Sequence, residues 1–200
     1  MRSTRRLLAA SRDIWREAVR HPFLRQLEDE NHEDSFRRWL AYEARSLSEA
    51  LSSLGCLLRE APGSHRYVLA QAVMMMAEEL DWVEAHAIAS PEAEELGYWV
   101  GRLNRALSRG FDRSILLLWL GVKLNFEALW PLSPATELYA DYRERRTSAV
   151  VEAFLHDFEE LAEVAVEALG MAEASAILLE VVEGQLALWD VGLKLVEGKE

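Results

Sequence analysis

The stretch SILLLWLGVKLNFEALW, residues 114 to 130, is apolar almost all the way round for its first two turns, and only then admits Lys123, Asn125 and Glu127. A surface helix keeps a polar face, so a run of this kind belongs at the centre of a helical bundle. Glu127 falls on the line through Leu116, Leu120 and Trp130, which predicts a carboxylate aimed at the interior. The rest of the chain agrees with an all-α fold. There are ten glycines and five prolines in 200 residues, and the alternating Val, Ile or Thr runs that mark strands are almost absent. With half its residues hydrophobic, the chain can bury a sizeable core, and no linker divides residues 1–200, so one domain is expected.

Breaks fall at His21-Pro22, the acidic stretch EDENHED, Pro62-Gly63-Ser64, Ser90-Pro91, Gly110, Pro131 to Pro134, and Gly170. They leave about seven helical segments. SPEAEE (90–95) reads as a helix start, with Ser90 as the cap and Pro91 at the first position. SPATELYADY (133–142) has the same form, with Pro134 after Ser133.

Two further stretches turn polar groups inward. In SFRRWLAYEARSLSEALSSLGCLL (35–58), Phe36, Trp39, Leu40, Leu47, Leu51, Leu54 and Leu58 follow helical spacing, and Glu43 shares their stripe. In EGQLALWDVG (183–192), Gln185 lies beside the stripe of Leu179, Val182, Leu186, Trp189 and Leu193. An unpaired buried carboxylate costs several kcal/mol, roughly, so polar groups converging on an apolar bundle must be paired, hydrated or lining a pocket.

Composition narrows the function. A net charge of -12, spread along the chain, disfavours nucleic acid and anionic membranes as partners, because both need a cationic face. A transcription-factor role fits poorly for the same reason. The single cysteine, Cys56, excludes an internal disulfide framework and a four-thiolate zinc site, and fits a reducing compartment. In MRSTRRLLAASRDIW, the charges that follow at Asp13, Arg16 and Glu17 interrupt the run before it could act as a signal peptide, so a cytoplasmic protein is expected. Nineteen Arg against three Lys hint at a thermophilic source.

These features resemble the TenA/THI-4 family of helical proteins with a heme-oxygenase-like fold, which includes thiaminase II and aminopyrimidine aminohydrolase enzymes. The resemblance runs through Trp15, His21-Pro22-Phe23 and Phe36, then Tyr42-Glu43, where the family often has Gln-Asp. It continues in GYWVGRLNRALSRGF, where Tyr98 falls on a family pocket tyrosine, and at Glu127, which matches a family acid. It ends in QLALWDVGLK, similar to the family's Glu-x-x-Phe-Trp close, with Leu188-Trp189 in the last two places.

By this resemblance the position of the nucleophilic cysteine is Gly121, that of the proton-shuttling glutamate is Gln185, and that of a further tyrosine is Arg146. Glycine has no nucleophile and an amide has no useful pKa, so the thiol mechanism is expected to be absent. Cys56 lies thirteen residues after Glu43, roughly 20 Å along one helix and nearly on its opposite side, which suits a packed thiol better than a nucleophile.

The resemblance implies a pocket for a small heteroaromatic ligand, aminopyrimidine or thiamin-related, bordered by Glu43, Tyr98, Gly121, Glu127, Arg146, Gln185 and Trp189. Trp39 is a second candidate for a flat wall, Glu43 and Glu127 are the candidate general bases of a hydrolase, and no cofactor is needed. The family's habit of forming dimers or tetramers implies a homo-oligomer.

Two alternatives stand beside this. One is a non-catalytic homologue whose pocket is filled by an internal polar network in which Arg146 neutralises Glu43 or Glu127. The other is a di-metal oxidase of the same fold, drawing on Glu79, His86, Glu127, His156, Glu160 and Glu163.

Overall fold

A computed structural model describes residues 2–63, 65–88 and 109–198. Among the described residues the chain forms α1 (Ser3–Ala10), α2 (Arg12–Ala18), α3 (Pro22–Arg25), α4 (Glu33–Glu60), α5 (Arg66–His86), α6 (Phe111–Leu129), α7 (Glu137–Thr147), α8 (Ala149–Leu169) and α9 (Met171–Glu197), with no strand. The helix start expected at SPEAEE lies outside the described residues.

The central role expected of residues 114–130 follows from burial. Residues 113–120 of α6 are buried without interruption, and the helix packs mainly on α8 and α9, while α4 packs on α5 and α9. Buried apolar side chains from all nine helices join one continuous cluster. Burying such side chains contributes about 1.5–3 kcal/mol each.

Local chemistry sets the ends. Gly170, at φ +79, is the only residue between α8 and α9, a left-handed position that suits glycine. The start expected at Ser133 is displaced: α7 begins at Glu137, where the Thr136 side chain accepts from the Tyr139 backbone N–H at 3.3 Å. Both residues can cap, and the one the fold uses is three residues further on. Glu163 on α8 accepts from the first backbone N–H groups of α1, at Ser3 and Thr4, and so caps a helix that lacks a cap of its own.

Helix α9 is held against α3 and α4 at its C-terminal half. Trp39 Nε1 donates to the Leu188 carbonyl at 2.9 Å, and the Phe23 ring packs 4.8 Å from that of Trp39. A Cβ on Gly192 would stand 2.4 Å from Phe23 Cε2, and Phe23 is itself buried. Gly192→Ala is therefore expected to lose about 1–3 kcal/mol of stability through overpacking, measured by urea denaturation; an unchanged midpoint would mean that Phe23 moves freely.

Candidate functional site

Six helices, α4 to α9, line a cavity of about 280 Å³. The lining takes Glu43, Leu47, Ala50 and Leu54 from α4, Met75, Met76 and Glu79 from α5, and Leu117, Leu118, Gly121, Val122 and Asn125 from α6. Arg145 and Arg146 come from α7, Val151, Phe154 and Phe158 from α8, and Glu180, Val181, Gly184, Gln185 and Leu188 from α9. The wall is mostly apolar, with polar groups gathered at a few points, as ligand pockets are.

One end carries a charged cluster. Arg146 Nη2 lies 3.2 Å from Glu43 Oε1 and 2.5 Å from Glu79 Oε1. Its guanidinium sits 3.7 Å over the Tyr142 ring. The Tyr142 hydroxyl donates to Glu43 Oε1 at 3.1 Å, and Arg145 Nε donates to Glu79 Oε2 at 2.9 Å. Behind the cluster Tyr142 packs edge-on against Phe36 and Trp39, so an aromatic wall fixes its hydroxyl.

Burial pushes the Glu43 carboxyl up, Arg146 pulls it back, Glu79 raises it again, and the result is about 7. Burial disfavours the Arg146 charge, yet Glu43, Tyr142 and Glu79 outweigh it and hold the guanidinium above its ordinary value. Tyr142 is raised well above the phenol range, first by burial, and stays protonated. Glu43 is only 6 % exposed, and its second oxygen, Oε2, is buried with no hydrogen-bond partner.

A second polar point explains the amide at 185. Asn125 Nδ2 donates to the Gly121 carbonyl at 3.0 Å and to Gln185 Oε1 at 3.2 Å. The bond to a backbone carbonyl fixes which end of Asn125 is the donor, so Gln185 must turn its oxygen to Asn125 and keep its N–H donors for other partners. At a third point Glu180 is held by Arg113 Nη2, at 2.6 and 2.7 Å to its two oxygens.

The cavity wall thus holds Glu43, Gly121, Arg146 and Gln185. Glu127 is elsewhere: it accepts from Trp15 Nε1 at 2.7 Å, pairs with Lys123 at 2.8 Å and is 38 % exposed, because residue 127 lies some 200° round the helix from Asn125. Trp189 is a second correction, being buried against His21 at 5.8 Å between ring centroids instead of lining the cavity. Trp39 also stands behind the wall, and among the described residues the rings that border the space are Phe154 and Phe158. Tyr98 lies outside the described residues. Cys56, expected to be packed, is exposed.

The sequence reading missed Tyr142, Asn125 and Glu180. Tyr142 is four residues before Arg146 and Asn125 four after Gly121, so one helical turn from each named residue was the available signal.

The side chains proposed as metal ligands are dispersed: Glu79 is engaged by Arg145 and Arg146, His86 Nδ1 meets the Trp82 carbonyl at 2.8 Å, and Glu160 pairs with Arg2. Among the described residues no three His, Cys, Asp or Glu side chains gather as a metal site. No described helix is long and apolar enough to cross a membrane.

No protein-family model matches the chain, and no curated protein sequence does. Solved structures do match. A TenA homologue from Pyrococcus furiosus aligns over 95 % of this chain and 99 % of its own, with 21 % identity and a TM-score of 0.80. A TenA family transcription regulator from Silicibacter sp. TM1040 covers 96 % of both chains, with 18 % identity and a TM-score of 0.81. A TenA homologue from P. horikoshii covers 98 % of this chain and 100 % of its own, with 14 % identity and a TM-score of 0.78. The all-helical fold of this chain is the fold of the TenA homologues.

Proposed function

We propose that the chain is a divergent TenA family protein that holds a small heteroaromatic ligand, of aminopyrimidine or thiamin-related type, in the cavity between α4 and α9, without a thiol nucleophile. The observation that carries this reading is the unpartnered, buried Glu43 Oε2 beside an apolar space. A carboxyl whose other oxygen is held by Tyr142 and Arg146 has one oxygen left for a ring-bound amino group, while leucines, methionines and phenylalanines take the ring faces. Gln185 N–H can donate to an acceptor on the ligand. The space left between these residues favours a ligand site over a polar core filled by its own side chains.

Any hydrolysis would use Glu43 as general base, since its carboxyl near 7 is suited to proton transfer at neutral pH. A cytoplasmic homo-oligomer belongs to the same proposal.

The test is calorimetric titration with 4-amino-2-methylpyrimidine. Binding to the wild type is expected, with Glu43→Gln at least about tenfold weaker through loss of a charged hydrogen bond. Alkylation of the exposed Cys56 should leave the affinity unchanged. No binding, or equal binding by Glu43→Gln, would overturn the reading.

A further inference from the structure

Two glycines face the same space from different helices. Gly121 on α6 and Gly184 on α9 both border the cavity, and a Cβ built on either would meet nothing within 4 Å. Asn125 bridges the Gly121 carbonyl to Gln185, the neighbour of Gly184, so the two backbones stand across one gap. Neither glycine has a positive φ, so neither is needed for its backbone shape. Each sits within a long helix, where glycine is about 1 kcal/mol less favourable than alanine. Gly192, on the same helix, is different, because there Phe23 leaves no room for a Cβ. The absence of side chains at 121 and 184 therefore serves the open space, and the buried, unpartnered Glu43 Oε2 on the wall of that space marks it as a place for a ligand.

We propose that Gly121 and Gly184 set the size limit of the site: they hold open a slot between α6 and α9 that takes a substituent carried by the ring. The preferred ligands are then two-ring heteroaromatics or single rings with a bulky substituent, and a small single ring fills the site incompletely. This rests on the reading of the cavity as a heteroaromatic site and names the substrate class within it.

The experiment compares wild type with Gly121→Ala, Gly184→Ala and the double variant. The probes are 4-amino-2-methylpyrimidine, thiamin, which carries the same ring with a second ring attached, phenol and 2-naphthol. All three variants are expected to unfold at or above the wild-type temperature. The single-ring probes should bind within about threefold of wild type, and the two-ring probes should lose about fivefold per methyl and more in the double variant. Equal losses for small and large probes, unchanged binding of the large ones, or a lowered unfolding temperature would overturn the proposal. If neither pyrimidine binds the wild type, the heteroaromatic reading fails, and phenol against 2-naphthol still decides the slot: loss confined to naphthol supports it, and any other pattern, including no binding of naphthol to the wild type, refutes it.

Discussion

Arg146→Met is expected to lower the stability of the protein by about 3–5 kcal/mol at neutral pH, the usual effect of removing one partner from a buried ion pair. Arg146 is the only described cation that touches both Glu43 and Glu79, and the side chains of all three are close to fully buried. Methionine keeps much of the arginine's volume and none of its charge, leaving the Glu43 and Glu79 carboxyl groups near one another in an apolar surround without the cation between them. The loss should grow above pH 7, where Glu43 is ionised in the wild type and Arg146 holds its charge, and shrink in acid, where Glu43 is protonated in both proteins. Urea denaturation at pH 9 and pH 5 measures both effects. A loss below about 1 kcal/mol at both pH values would place these charges in water, where ion pairs contribute little.

Glu43→Gln carries the second large effect, on the pH dependence of stability. In the unfolded chain the carboxyl titrates near 4.5 and in the folded protein near 7. Between those values the folded state holds the extra proton, so stability falls as pH rises through this window, and the penalty is complete above 7. The difference between wild type and Glu43→Gln isolates this contribution from carboxylates such as Glu163, whose lowered pKa works in the opposite direction, with stability lost as pH falls through it. On the order of 2 kcal/mol should separate the two proteins' pH profiles between pH 4.5 and 7. Parallel profiles would show that Glu43 titrates as it does in water.

What could be read in the sequence was what helical periodicity encodes. Glu43 shares a stripe with Phe36, Trp39, Leu40 and Leu54, all buried in α4, and one period places it. Glu127 shares a genuine line with Leu116 and Leu120, both buried, but α6 is buried on nearly every side. A period then gives a direction without saying which neighbour lies there: for Glu127 it is Trp15 of α2, not the cavity. Trp189 misled in the same way on α9, a helix in contact with α2, α3, α4, α6 and α8. For Tyr142 and Asn125 the sequence offers a shared helix face with Arg146 and Gly121 and nothing of their partners. Each acquires its role by pairing with a residue of a distant helix, Glu43 and Gln185, and pairings of that kind are fixed by tertiary packing. The slot at Gly121 and Gly184 is of the same kind, because an empty volume belongs to no single helix.

The most direct measurement is a crystal structure of the wild-type protein soaked in 4-amino-2-methylpyrimidine at pH 7. Ring density is expected in the cavity, with the amino nitrogen within hydrogen-bonding distance of Glu43 Oε2 and the ring between Phe154, Leu117 and Gln185. A cavity holding only ordered water, or closed by Arg146 or Gln185 swung across it, would contradict the account.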